Sequence, residues 1–157
     1  MLTGVTPVGA CWCRNGSSRV QPTKESLMSR KKVARIRRSA FEQQGGRCYY
    51  CGHPMWRSEP HTYAERYGLT RKQASLFQCT AEHLLARRDG GSNEPPNIVA
   101  ACLFCNRLRH ARGAALSPER YKNLVSRRLR KRRWQGRGIL SSLANRAAGQ
   151  MPDQGSL

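Results

Sequence analysis

Apolar residues recur at helical spacing near the start of a strongly basic stretch. Between residues 30 and 44 four of them fall on one helical face: Val33, Ile36, Ala40 and Phe41. Side chains three and four residues apart share a helix face, so this pattern predicts a basic amphipathic helix over residues 30–44. The Gly45-Gly46 pair that follows is expected to end it.

A second apolar pattern, over residues 62–78, predicts a helical hairpin in two pieces. Gly68 interrupts the pattern and is a plausible helix stop, and Thr70 is a plausible cap for the second piece. We interpret this unit as an insertion into a domain that spans residues 28–116.

The next segment changes from helical spacing to short apolar runs. Residues 78–85 and 98–101 predict two strands, and the polar, Gly- and Pro-rich residues 87–97 between them predict a long loop. A helix is expected over residues 104–111, ending near Gly113. The order is strand, loop, strand, helix.

A basic amphipathic helix is predicted over residues 117–137. Ser117 is a suitable N-cap and Pro118 suits the first turn. Four apolar residues lie on one face: Tyr121, Leu124, Val125 and Leu129. The rest of the helix is dominated by charge.

The two ends of the chain lack periodicity. Residues 1–27 are rich in Gly, Ser, Thr and Pro, and residues 138–157 form a polar tail, so we expect both to be disordered. The abrupt change in composition suggests Met28 as the natural start. Neither a secretory signal nor a run of ~20 apolar residues is present, so the sequence predicts a cytoplasmic protein without membrane insertion.

The charge balance indicates a polyanionic partner. The 157 residues include 29 Lys and Arg against 9 Asp and Glu, a formal net charge of +20. Nucleic acids and anionic membrane surfaces both satisfy such a charge. Between Arg107 and Arg137 the imbalance is extreme, because Glu119 is the one acid there. We expect phosphate contacts from a dense basic cluster: Arg127, Arg128, Arg130, Lys131, Arg132 and Arg133.

Four of the seven cysteines form two Cys-X-X-Cys pairs, Cys48 with Cys51 and Cys102 with Cys105. Four thiolates are a complete ligand set for structural zinc. The intervening 50 residues exceed the usual spacing, but closing a longer loop costs only about 0.6 kcal/mol per doubling of length. We favour zinc over two disulfides or a redox role. The remaining cysteines are interpreted as ordinary thiols: Cys11, Cys13 and Cys79.

Four short motifs follow one another in the middle of the chain: Cys48-X-X-Cys51-Gly52, Glu82-His83-Leu84 with Gly90-Gly91, Asn97-Ile98-Val99, and Cys102-Leu103-Phe104-Cys105-Asn106. In this order they resemble the HNH endonucleases of the ββα-metal nuclease superfamily. The resemblance implies an α+β fold, a small zinc-stapled ββα-metal core with flanking basic helices.

The resemblance also implies a role for each matching residue. His83 corresponds to the general base, Glu82 and Asn106 to ligands of a catalytic divalent cation, and Asn97 to the residue that braces the loop. An ordinary turn residue is the alternative for Asn97. Cleavage is then expected to leave a 5′-phosphate and a 3′-hydroxyl.

Residue chemistry supports these roles independently. The oxygens of Glu82 and Asn106 suit Mg²⁺ or Mn²⁺, and a neutral imidazole can accept a proton from water at neutral pH. His110 lies four residues after Asn106, hence on the same helical face, as a further metal ligand or a phosphate contact. Glu82 and His83 are neighbours, however, and neighbouring strand residues point to opposite faces. They must therefore lie where the strand leaves the sheet.

The sequence thus predicts a metal-dependent HNH endonuclease that hydrolyses phosphodiester bonds in DNA, with duplex DNA as the expected partner. The alternative is a non-catalytic zinc-binding module that binds nucleic acid. A ribosomal or other RNA-scaffold protein accounts for the charge but not for Glu82-His83 beside Cys105-Asn106.

Overall fold

The computed structural model describes residues 23–111, 115–135 and 139. Its helices and strands follow in the order α1 (Lys24–Gln43), α2 (Pro60–Tyr67), α3 (Arg71–Ser75), β1 (Cys79–His83), β2 (Ile98–Cys102), α4 (Leu103–His110) and α5 (Pro118–Arg130). Short 3-10 turns at Arg87–Asp89 and Pro95–Asn97 lie between the two strands. The predicted α+β class is confirmed.

The two strands form an antiparallel hairpin that carries the rest of the domain. Cys79 pairs with Cys102 at one end and His83 pairs with Ile98 at the other. Helix α4 follows β2 directly, and both α4 and α1 pack against the hairpin. Strand, loop, strand and helix therefore give the expected ββα arrangement.

Helix α1 begins earlier than the apolar pattern predicts. Thr23 Oγ1 accepts a hydrogen bond from the Ser26 backbone N–H at 3.2 Å, which satisfies a free donor at the helix start. Residues 24–27, assigned from composition to a disordered segment, thus form the first turn. The helix ends at Gln43, just before the predicted glycine pair. Residues 1–22 and 140–157, also predicted to be disordered, lie outside the described residues.

Helices α2 and α3 form the predicted hairpin. Gly68 follows α2, and the Thr70 side chain caps α3 by accepting from the Gln73 N–H at 3.2 Å, while the Gln73 side chain accepts from the Thr70 N–H. The hairpin has its own buried cluster: Tyr63, Ala64, Tyr67, Leu69, Ala74 and Phe77.

Helix α5 starts as predicted, with Ser117 as its cap, but ends at Arg130 rather than near residue 137. The chain then turns back, with positive φ at Arg132 and Gln135. This turn buries Trp134, whose ring packs edge-on against Phe104 with the centroids 5.2 Å apart. Burial of a large aromatic side chain favours the turn over further helix.

No helix among the described residues is both long and apolar enough to cross a membrane.

Candidate metal centre and catalytic site

The four paired cysteines converge at the centre of the main core. Cys48 and Cys51 lie in a tight turn after α1, Cys102 ends β2, and Cys105 lies in the first turn of α4. All four are buried, and their sulfur atoms lie within 4.8 Å of one another. Aromatic and apolar residues surround them, among them Tyr50, Tyr121, Val125 and Trp134.

The geometry of the four sulfurs suits a zinc ion. Four sulfurs bound tetrahedrally at about 2.3 Å from one ion are about 3.8 Å apart. The Cys51 and Cys102 sulfurs are 3.9 Å apart, nearly twice the length of a disulfide bond, about 2.05 Å. Backbone N–H groups of Cys102 and Cys105 point at sulfur atoms of Cys48 and Cys102, at 3.3 and 3.4 Å. The cluster is therefore compatible with structural zinc.

Cys79 stays outside this cluster although it is buried at the start of β1. Burial raises the pKa of its thiol to about 11, so it is protonated at neutral pH and a poor ligand or nucleophile. This agrees with its interpretation as an ordinary thiol. Cys11 and Cys13 lie outside the described residues.

Glu82 is buried, with 1% of its surface exposed, and is held on several sides. Its Oε1 accepts from the Tyr50 hydroxyl at 3.0 Å and from Arg109 Nη1, and both carboxylate oxygens lie 3.1 Å from His110 Nε2. Burial, together with the nearby Glu82 carboxylate, raises the pKa of Tyr50, so its hydroxyl remains a donor. The carboxylate is therefore fixed in orientation.

His83 is the last residue of β1, at the point where the chain enters the loop. Its Nε2 lies 2.8 Å from Oδ1 of Asn93. Glu82 and His83 nevertheless line the same cavity, of about 350 Å³. Neighbouring residues inside a regular strand would point to opposite faces. His83 can share a cavity with Glu82 because it lies at the end of the strand.

Asn106 and His110 line this cavity as well. The amide nitrogen of Asn106 donates to Thr80 Oγ1 at 2.9 Å and to the Ala81 carbonyl at 3.1 Å. These bonds tie α4 to β1 and leave the amide oxygen of Asn106 as the atom available to a cation. The structure thus brings together Glu82, His83, Asn106 and His110, all of which were selected from the sequence.

Asn97 lies at the base of the loop and bonds across it. Its Oδ1 accepts from the Leu85 N–H at 2.8 Å, and its Nδ2 donates to the Leu85 and Ser92 carbonyls at 3.0 and 2.9 Å. One side chain thus forms hydrogen bonds with three backbone groups of the loop. This geometry supports the brace role.

Gly91 is enclosed by the same contacts, so Gly91→Ala is expected to destabilise the domain. A Cβ there would lie 1.8 Å from the Leu85 carbonyl oxygen and 2.9 Å from Asn97 Nδ2. We expect a loss of about 3 kcal/mol in the free energy of unfolding, measured in urea. Gly90→Ala is the matched control. It has open space but φ of +86°, and should cost about 1 kcal/mol. Equal effects of the two would contradict the steric explanation.

Arg109 is a site residue that sequence reasoning missed. Its guanidinium is buried, donates to Glu82 Oε1 and to the His83 and Leu84 carbonyls at 3.0 and 2.7 Å, and Nε donates to the Leu116 carbonyl at 3.1 Å. In the sequence it was one of many cations in a basic run. Its spacing of three residues after Asn106, hence the same helical face, was the available signal.

The predicted phosphate-binding cluster at residues 127–133 is exposed along its cationic positions but does not line the cavity. The cations that do line it are Arg87 and Arg88, in the loop after His83. Arg88 Nε lies 3.8 Å from Asp89 Oδ1, but both side chains are exposed, so this ion pair contributes little to stability. The sequence placed both in a polar loop without assigning them a role.

Among the described residues the four cysteines form the one group of three or more Cys, His, Asp or Glu side chains close enough to share an ion. In the cavity, Glu82 and His110 are two side chains close enough to share an ion, with His110 Nε2 3.1 Å from Glu82 Oε2. An ion there would need the Asn106 amide oxygen and water as further ligands, a set that Mg²⁺ and Mn²⁺ accept.

Fold and site together define a small ββα domain with a four-cysteine centre and an acid–imidazole pair at the strand end. Residues 70–112 match the family model of the HNH endonucleases. The match confirms the resemblance and covers the last helix of the hairpin, both strands and α4. It indicates a nuclease or another function related to nucleic acids. No curated protein and no solved structure matches the chain.

Proposed function

We propose that this protein is a metal-dependent endonuclease that hydrolyses phosphodiester bonds in DNA. The observation that carries the proposal is the cavity that joins Glu82, His83, Asn106 and His110. A module that only binds nucleic acid needs neither a buried, oriented carboxylate nor an imidazole fixed beside it.

Glu82, Asn106 and His110 would hold a divalent cation, with Mg²⁺ or Mn²⁺ favoured by the oxygen ligands. When bound, such an ion neutralises charge on the phosphate and stabilises the departing 3′ oxygen. Arg109 and Tyr50 keep the Glu82 carboxylate in place, so the protein need not reorganise when an ion arrives.

His83 takes the proton from the attacking water. A neutral imidazole is suited to this step near pH 7, and its ring is held at the cavity wall by Asn93. Water attack with departure of the 3′ oxygen leaves a 5′-phosphate and a 3′-hydroxyl. Arg87 and Arg88, at the same wall, are placed to contact the phosphate backbone.

Two basic surfaces support a polyanionic substrate. The first is the cluster at residues 127–133. The second is a cavity of about 450 Å³ beside α1, lined by five cations and no carboxylate: Lys31, Arg35, Arg37, Arg38 and Arg57. Arg57 is already paired with Glu42, and phosphate oxygens would supply acceptors to the other four cations.

Binding to duplex DNA is expected to weaken steeply with salt. Each phosphate contact contributes about 0.9 to the slope of log K against log salt, so Arg127→Gln/Arg130→Gln should reduce the slope by about 1.8. Fluorescence anisotropy with a labelled duplex, without added Mg²⁺ or Mn²⁺, measures binding without cleavage. Arg71→Gln/Lys72→Gln removes equal charge from exposed positions of α3 and should leave the slope unchanged. Equal reductions by the two double variants would contradict specific phosphate contact at α5.

The test of the proposed activity is conversion of supercoiled plasmid in Mg²⁺ or Mn²⁺ by the intact chain and by His83→Ala. Conversion in the presence of excess EDTA, or equal conversion by both proteins, would contradict the proposal. A tightly bound duplex without any cleavage, on substrates of varied sequence, would favour the non-catalytic binding module.

A further inference from the structure

We propose that Asn93, itself held by Ser29 of α1, is the positioning residue of His83, and that it makes Nδ1 the ring atom that accepts the proton. This inference rests on the proposed nuclease function for its catalytic meaning. Its geometric part concerns the orientation of the His83 ring.

Three side chains from distant parts of the chain form a continuous series of hydrogen bonds. His83 Nε2 lies 2.8 Å from Asn93 Oδ1, and Asn93 Nδ2 donates to Ser29 Oγ at 2.9 Å. His83 and Ser29 are 54 residues apart, and all three side chains are half-buried. Each contact lies within the range of an ordinary hydrogen bond.

The series selects a tautomer because the two ends of an amide differ. The NH₂ group of Asn93 is directed at Ser29, so its carbonyl oxygen faces the imidazole and can only accept. The Ser29 hydroxyl can accept as well as donate, so it serves this amide orientation, in which the neutral ring carries its hydrogen on Nε2 and its free lone pair on Nδ1. Asn93 would thus set which nitrogen of His83 acts on the water.

Helix α1 provides a rigid support for this series. In its N-terminal half, Lys32 lies one turn from Ser29 and forms an ion pair with Glu94, the neighbour of Asn93; this pair is exposed and contributes little stability. Just beyond its C-terminal end, the Gln44 side chain exchanges two hydrogen bonds with the Ala100 backbone of β2, at 2.8 and 2.9 Å. The helix is therefore fixed to the strand that pairs with β1.

The helix also lies outside the family-model match, which starts at residue 70. Ser29 would therefore complete the candidate catalytic site from a part of this chain that the HNH motif does not include.

When a catalytic imidazole turns away from its productive geometry, the reaction slows on the order of 10²-fold. This sets the expected effect of removing Asn93 on the cleavage rate.

The decisive measurement is the tautomer of His83, observed by long-range ¹H–¹⁵N NMR of the neutral ring at about pH 8. Its signals are assigned by their absence in His83→Gln. We expect the Nε2–H form in the intact chain, and a shift towards the Nδ1–H form in Asn93→Leu, which retains similar volume without the amide. A predominant Nδ1–H form in the intact chain would overturn the proposal whether or not the protein cuts DNA.

Cleavage kinetics test the catalytic meaning. Asn93→Leu should lower kcat about 100-fold with KM for plasmid unchanged, whereas Asn93→Asp, which keeps the acceptor, should stay within a few-fold of the intact chain. Ser29→Ala should fall between them. Lys32→Gln is the matched control, because it removes an exposed ion pair between α1 and the loop without touching Asn93, and it should leave kcat unchanged. Equal losses in Asn93→Asp and Asn93→Leu, with both folded by circular dichroism, would overturn the positioning role.

The two proposals fail separately. An intact chain that shows the Nε2–H tautomer but does not cleave DNA contradicts the nuclease function and retains the ring orientation. Cleavage that is lost in His83→Ala but unaffected in Asn93→Leu retains the nuclease function and contradicts the role of Asn93.

Discussion

Replacing His83 with alanine is expected to slow plasmid cleavage by about 10²–10⁴-fold, the range that a positioned general base contributes. The physical reason is that bulk water must then accept the proton that the imidazole takes in the intact chain. The measurement is the initial rate of conversion of supercoiled plasmid at saturating Mg²⁺ or Mn²⁺, with protein in excess over substrate.

The loss should appear in kcat rather than in DNA affinity. His83 is half-buried at the strand end and contributes no positive charge when neutral, so His83→Ala should bind a labelled duplex, without added Mg²⁺ or Mn²⁺, as the intact chain does. His61→Ala is the matched control, since His61 is exposed on α2 and pairs with Glu65. A similar loss of cleavage in His61→Ala would contradict a specific role for His83.

Removal of the bound metal from the four-cysteine centre is expected to unfold the domain. Structural zinc contributes about 10–16 kcal/mol in zinc-finger peptides, as much as the whole stability of a typical domain, about 5–15 kcal/mol. The four sulfurs lie at the centre of the main core, where they join the turn after α1, the end of β2 and the start of α4. Without an ion the buried sulfurs would take up protons, since burial raises the pKa of the Cys105 thiol, and no bond would then hold these three segments together.

The measurement is circular dichroism during titration with a strong chelator, together with zinc content and thiol reactivity. We expect one zinc per chain, protection of the four cluster thiols and of buried Cys79, and a loss of helical signal as zinc leaves. Cys48→Ser should have the same effect without chelator. Cys79→Ser, at a buried cysteine outside the cluster, should retain zinc with a much smaller loss of stability. Metal-free protein that keeps its full helical signal would contradict the structural role.

Much of the local structure was predictable from short-range signals. The caps at Thr70 and Ser117 act within three residues, so the sequence carries them completely. The start of α1 was predicted too late because its first turn is polar, and a single cap at Thr23 decides where it begins. The end of α5 was predicted too far along, since burial of Trp134 against Phe104 is a contact between distant residues.

The candidate site divides in the same way. Its chemical groups were selected from motifs, but the partners that hold them were not. Tyr50, Asn93 and Arg109 come from different elements, and each touches Glu82 or His83 through a contact that spans ten residues or more. The one local signal for Arg109 is its spacing of three residues after Asn106, which places both on one helical face but does not show which partner Arg109 meets.

The sequence by itself determined the cysteine pairs, the order of the ββα elements, the excess of positive charge and the acid–imidazole pair, because composition and close spacing are properties of the chain alone. The tertiary structure decided that four sulfurs meet, that Glu82 and His83 reach one cavity from the end of a strand, that Arg109 forms an ion pair with Glu82, and that Ser29 reaches His83 through Asn93. These depend on how the strands pair and the helices dock, which is set by the packing of the whole core rather than by any one segment.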